Sequence, residues 1–224
     1  MTKSLTKSAA EPFSTRPATR GDLPFLAWVM ITAATSHLDR CVWETLLGLS
    51  GDEASAILAA VATSEESHWC HIDRFTVAEA AGQPVAALSA FDVAREGTPV
   101  LTRVLLRVLT NSTAPSHDLE GILTRAAILD ACTPRDYPDS WGIENVAVLP
   151  SFRARGIVDA LISGALSAGR DRGHEHAQIL CLNGNHRARG AWERNGFEMR
   201  ADYRSLAFAG TFGCPGLQLL AQRL

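Results

Sequence analysis

Val146-Ala147-Val148-Leu149-Pro150-Ser151-Phe152-Arg153-Ala154-Arg155-Gly156 is the stretch on which the reading of the whole chain turns. Its first four residues are apolar, suited to a buried strand, and Pro150 cannot donate to a sheet ladder. Arg153, Ala154, Arg155 and Gly156 then form a short cationic turn, and Ile157, Ala160, Leu161, Gly164, Ala165 and Ala168 follow at helical spacing. A strand that feeds through a tight turn into a helix leaves backbone N–H groups unpaired at the positive end of the helix dipole, which makes a seat for a phosphate or pyrophosphate. Taken alone, the segment reads sooner as an ordinary strand-to-helix connection with two solvated arginines.

Downstream, the helix from Gly156 ends near Arg172 at Gly173, Ala177 to Leu182 reads as a strand, and Asn185 to Arg194 as a helix. Gly196 terminates that helix and a strand opens at Phe197, completing a β-α-β-α-β series. Asn185 and Trp192 lie seven residues apart, about two turns, and so share a helix face. Gly216 to Leu224 fits either helix or strand.

Upstream, Asp22 followed by Pro24 marks a helix start, with Leu23, Leu26, Val29 and Met30 in period to about Thr35. Further helical stretches cover Asp39 to Leu49 and open at Asp52. Phe75 to Ala80 and Val85 to Phe91 read as a hairpin turned by Ala81-Gly82-Gln83-Pro84. Residues 98–110 and 117–132 are helical by pattern, split by Asn111-Ser112-Thr113-Ala114-Pro115, with Ser116 and Asp118 near the second start. The pair stands as an insertion, 97–140, before the strand Ile143 to Leu149.

With 224 residues, 46% apolar and 20% charged, the chain is sized for a packed core, and the expectation is one domain over 15–224 behind a loose tail at 1–14. A net charge of −3 offers no basic field for nucleic acid or an anionic membrane surface, so neither is an expected partner. The N-terminal residues lack a secretory apolar stretch, no apolar run approaches a membrane span, and the five cysteines are scattered without CxxC spacing. A reduced, cytoplasmic setting is expected. His68-Trp69-Cys70-His71 and His174-Glu175-His176 lack the ligand spacing of a zinc site, and no metal is expected.

Taken together, the two blocks resemble the GNAT-type N-acetyltransferase superfamily. Val148, Pro150, Phe152, Arg153 and Gly156 match its strand and loop, and Asn185, Ala188, Gly196 and Phe197 match its later helix block; Arg16 to Leu23 resembles its first strand and helix start. The resemblance covers about 140–205 strongly and 16–35 and 72–92 moderately, and leaves the insertion unmatched. It implies an α/β (α+β) fold with a central mixed sheet splayed into a V and flanked by helices, and acetyl-CoA as cosubstrate in the cleft. It further implies acetyl transfer to an amine of a small molecule or peptide, without a covalent enzyme intermediate. By the same carry-over the backbone of Val146, Ala147 and Val148 pairs with the pantetheine arm. The amides of Arg153, Ala154, Arg155, Gly156, Ile157 and Val158 cradle the pyrophosphate, and Asn185 bonds the cofactor near its pantetheine end.

Two positions depart from the family pattern. Val158 stands where Gly or Ala is usual, and a β-branched side chain limits how closely a phosphate approaches. Trp192 replaces the tyrosine that protonates the departing thiolate, and an indole N–H is no proton-transfer acid at neutral pH. A thiolate whose thiol has a pKa of about 8.5 leaves tolerably unaided, whereas an alkylammonium near 10 must first lose a proton, so a base is the greater need. Glu144, which strand alternation puts on the face of Val146 and Val148, is the candidate base; it reads equally as a strand-end glutamate facing solvent. Cys181 reads as a buried apolar cysteine or as a neighbour of the thioester. Two functions stay open: an acetyltransferase, or a GNAT-fold CoA-binding or regulatory module that has lost turnover. The insertion either covers the acceptor side of the cleft or forms a homodimer contact.

Overall fold

The computed structural model describes residues 12–111 and 118–224. Residues 1–11 of the expected tail, and Ser112 to Ser116 of the expected loop and helix start, lie outside the described residues. Strand β1 (Ser14–Pro17) already belongs to the sheet at the tail's expected end. Helices α1 (Leu23–Thr35), α2 (Val42–Leu47) and α3 (Gly51–Ala62) follow, then β2 (Phe75–Ala80) and β3 (Gln83–Asp92). A short α4 (Val93–Glu96), α5 (Thr98–Asn111) and α6 (Leu119–Ala131) fill the insertion before β4 (Ser140–Val148). The chain closes with α7 (Ile157–Asp171), β5 (His176–Leu182), α8 (His186–Arg194), β6 (Glu198–Arg204), α9 (Leu206–Phe212) and β7 (Gly216–Arg223).

The seven strands lie in the order β1-β2-β3-β4-β5-β7-β6, and β4 with β5 is the parallel pair among antiparallel ones. The ambiguous C-terminal segment is thus a strand, slotted between β5 and β6 and buried along Gly216–Ala221. Two cores cover the two faces. Val77, Ala87, Ala147 and Leu217 point to one, which α1, α2, α3, α5, α6 and α9 close. Ala78, Leu88, Ile143, Ile179 and Leu220 point to the other, closed by Ile157, Leu161, Ile162 and Ala165 of α7 and Trp192 of α8. Alternate residues of each strand serve opposite layers, as the pleat requires.

Asp22 does not cap α1 with its side chain. Its carboxylate instead takes the Thr19 N–H (2.7 Å) and both terminal nitrogens of Arg16 (2.7 and 2.9 Å), and that ion pair holds it down at about 2. The pair ties β1 to the start of α1.

Candidate active site

The site begins as a defect in β4. Ala87 sits opposite Ala147 and Ser89 opposite Glu144, so three steps along β4 answer two along β3, and β4 carries one extra residue. Asn145 supplies it with φ at +52°, a left-handed conformation that asparagine tolerates better than most residues. Its buried side chain secures the bulge by donating to Ser89 Oγ (3.2 Å) and to the Trp69 carbonyl (3.4 Å).

The bulge reverses the in–out alternation. Val146 and Val148 pack on the α7 face with Ile143, while Glu144 shares the opposite face with its cross-strand partner Ser89. The expectation that Glu144, Val146 and Val148 share a face is therefore corrected: alternation counted through a regular strand misses the inserted residue.

Just there the parallel pair opens. Pairing runs from Ser140 opposite His176 to Ile143 opposite Ile179 and stops, although β4 continues to Val148 and β5 to Leu182. Glu144 reaches across the parting strands and accepts from the Leu180 N–H at 3.3 Å. Its carboxyl is raised to about 8, chiefly because burial disfavours the charged form and secondarily because Asp136 adds like charge; the Leu180 bond opposes this. On the other face the gap is bordered by Cys181 and Trp192, both buried. Burial also raises the Cys181 thiol, to about 11. The Trp192 indole N–H is buried against the Cys181 sulfur, whose rise it opposes.

The turn after β4 has the form expected of an anion seat. Ala154 and Gly156 both take positive φ (+58° and +75°), which swings the chain sharply into α7. The Ala160 N–H bonds the Gly156 carbonyl at 3.0 Å, whereas the N–H groups of residues 154–159 bond no described residue. A Cβ on Gly156 would meet nothing within 4 Å, so the space beside these donors is open. Six free N–H groups at the start of a fifteen-residue helix suit a pyrophosphate. Arg153 and Arg155 are exposed, and Arg155 stacks on the Phe152 ring at 4.6 Å. The Val158 side chain packs on the α7 core, which leaves its N–H on the turn.

Asn185 stands at the head of α8, where its Oδ1 accepts from the Ala188 N–H at 3.0 Å and its amide nitrogen donates to Ser36 Oγ. Ser36, with φ at +54°, belongs to the turn after α1, and so ties α1 to the cleft end of β5. Sequence reasoning missed Asn145, Ser36 and the Leu180 N–H. Only the first left a trace, a polar residue inside an apolar strand. His68 and His71 serve their own turn: His68 Nδ1 accepts from the Cys70 N–H at 3.1 Å, and His71 Nδ1 from the Asp73 N–H at 3.2 Å.

Split parallel pair, bulged strand and free-amide turn together define an α/β protein whose sheet opens between two strands beside a turn of free amides. A family model described as the acetyltransferase (GNAT) family matches residues 43–197, well over half of the chain, and the chain belongs to that family. Acetyl transfer is that family's chemistry. A solved structure described as an acetyltransferase is 16% identical over 94% of this chain and 98% of its own, with a TM-score of 0.66. An N-acetyltransferase from Staphylococcus aureus Mu50 is 14% identical over 93% and 100%, with a TM-score of 0.65. A ribosomal-protein-alanine N-acetyltransferase from Brucella melitensis is 17% identical over 94% and 99%, at 0.51. These likenesses show the fold. No curated protein matches the chain in sequence. Among the described residues no helix is long and apolar enough to cross a membrane.

Proposed function

We propose that this protein transfers an acetyl group from acetyl-CoA to the amine of a small molecule or peptide by direct attack, with Glu144 as the general base. The observation that carries the proposal is the coincidence, at one end of the β4–β5 pair, of the open gap, a carboxylate within it and a free-amide turn beside it. Acetyl-CoA supplies an activated acyl thioester, whose attack by a neutral amine yields the amide and the CoA thiolate. The chain's own residues do the rest. The amides of residues 154–158 hold the pyrophosphate, while the expected Arg153 amide is corrected, since its N–H bonds the Pro150 carbonyl at 3.4 Å; the backbone of Val146, Ala147 and Val148, unpaired with β5, holds the pantetheine arm. Asn185 retains an amide hydrogen for the same arm after serving Ser36. Glu144 takes the ammonium proton, and a carboxyl raised to about 8 is matched to that task, because a base near the working pH combines availability with strength.

The second reading, a CoA-binding module without turnover, rests on Trp192, whose buried N–H hydrogen-bonds but does not release a proton. Calorimetry with CoA and an amine panel followed by free-thiol release separate the outcomes. Binding with thiol release supports the enzyme, binding without release supports the module, and no binding overturns both. The domain is proposed as a single unit from residue 15 on. Its insertion is proposed as the wall of the acceptor side, since α5 and α6 pack into the core on the Glu144 face.

A further inference from the structure

A second polar site lies at the opposite, zipped end of the β4–β5 pair, and it owes nothing to the functional reading above. A pocket of about 390 Å³ opens there between the end of β3, the start of β4 and the end of α7. Among the described residues, seven buried side-chain nitrogen or oxygen atoms have no hydrogen-bond partner, and three of them belong to residues lining this pocket: Arg74 Nε, Trp141 Nε1 and His174 Nδ1. Trp141 is only 3% exposed. A buried N–H without a partner, as at Trp141, calls for an acceptor.

Two of the three nitrogens face a carboxylate of the same wall. Glu96 accepts from Ser67 Oγ (2.9 Å) and from the Asp92 N–H (3.2 Å), and it pairs with Arg74 at 3.4 Å. Asp92 caps α4 through the Ala94 and Arg95 N–H groups (3.0 and 3.3 Å). Asp139 takes the Glu175 N–H at 3.2 Å, and lies 3.4 Å from His174 Nδ1. The Trp141 N–H is the donor left over. Arg172 adds a further cation: it lies over the Trp141 ring at 5.1 Å, and its Nη1 donates to the Ala168 carbonyl at 3.0 Å.

We propose that this pocket binds a small oxyanion, a carboxylate or a phosphate, which accepts from Arg172 and from the stranded N–H of Trp141. Arg172 is exposed and lightly held, so it swings off the indole as the anion enters and uncovers the donor beneath.

The test uses the Gly156→Asp chain, in which the amide turn of α7 is blocked, so that any anion bound is bound elsewhere. Calorimetry with inorganic phosphate and, separately, with citrate tells the two chemistries apart. Saturable binding of either, below about 10 mM, is expected. Adding Arg172→Gln is expected to weaken it at least tenfold, and Trp141→Phe, which keeps the ring and removes the N–H, about fivefold. Phosphate binding seen only with an intact Gly156 turn, no binding of either probe, or equal affinity in both added variants overturns the proposal. Circular dichroism establishes that each variant is folded. CoA binding to the unmodified chain is measured independently, so the two sites fail or stand apart from one another.

Discussion

The two ends of the β4–β5 pair are built from the same materials and behave oppositely. From Ser140 to Ile143 the strands are zipped to His176 through Ile179, and α7 presses so closely that a Cβ on Gly169 would stand 2.8 Å from Leu224 and 2.9 Å from Trp141. Past Ile143 the pairing is gone, and a Cβ on Gly156, at the other end of the same helix, would meet open space. Between them lies the Asn145 bulge, which ends regular alternation and lets the strands part. A parallel pair is thus tight where it carries α7 and loose where, on the proposed function, it admits the cofactor; the single inserted residue separates the two.

The sharpest way to break this contrast is at the carboxylate in the gap. Glu144→Gln is expected to lower kcat by roughly 10²–10⁴-fold with CoA affinity nearly unchanged, the scale of a lost general base. Steady-state kinetics against calorimetry checks this, and near-native turnover would leave Glu144 a bystander. With a carboxyl raised to about 8, kcat is expected to climb between pH 6.5 and 8.5 as Glu144 ionises, and to be flat there for a variant working without it.

Gly156→Asp attacks the open end from its other side. It puts a carboxylate beside the free amides in the space where a phosphate sits, and at least a hundredfold loss of CoA affinity is expected. The fold should pay only the cost of a non-glycine residue at φ +75°, about 1–2 kcal/mol. The mirror substitution at the zipped end, Gly169→Val, is expected to do the reverse: a loss of about 1–3 kcal/mol by denaturant titration, with CoA affinity of the folded fraction unaltered. If both variants lost affinity equally, the two ends would not be independent.

The comparison also explains what could be read in the chain beforehand. Strand, cationic turn and helix are local, and so the turn and α7 were legible at Arg153 to Ile157. The register of β4 was not, because one residue's φ at Asn145 decides it and flips the face of Glu144, while Asn is compatible with either outcome. The C-terminal strand took its place from pairing with two distant strands, which no local pattern carries. Helices α4 and α9 went unread because each is at most seven residues, although Asp92 and Ser205 cap their starts as sequence rules would have it. Ser36 had no signal at all, since its role rests on a contact with Asn185 across 149 residues.

Burial of Glu144 has a stability consequence confined to the open end. Its carboxyl binds a proton up to about pH 8 in the folded chain but only to about 4.5 when unfolded, so the folded state holds the extra proton in between. Stability is therefore expected to fall as pH rises from about 4.5 to 8. Glu144→Gln, which carries no such proton, should gain over the parent across that window, by on the order of a few kcal/mol at pH 8 and by little at pH 4. Chemical denaturation at a series of pH values measures the difference, and a gap that did not widen with pH would mean that the carboxyl is not held neutral by burial.

The smallest effect is expected at Trp192, where the family pattern has tyrosine. The indole fills the α7-side wall of the gap beside Cys181, and its buried N–H faces that sulfur. A phenol is smaller and adds an ionisable O–H on the same face. Trp192→Tyr should thus keep CoA affinity within a few-fold and leave kcat within about tenfold, since a thiolate whose thiol has a pKa of about 8.5 leaves without much help. The N–H points the same way: a buried donor beside the Cys181 sulfur is placed to hydrogen-bond a second sulfur that arrives in the gap, which steadies a thiolate without protonating it. An inactive parent made active by the tyrosine would reverse this argument, for the open end would then bind CoA but lack the acid to turn it over. Tryptophan emission that shifts on adding CoA to the parent, and not to Trp192→Phe, would place the indole at the gap whichever way the rates fall.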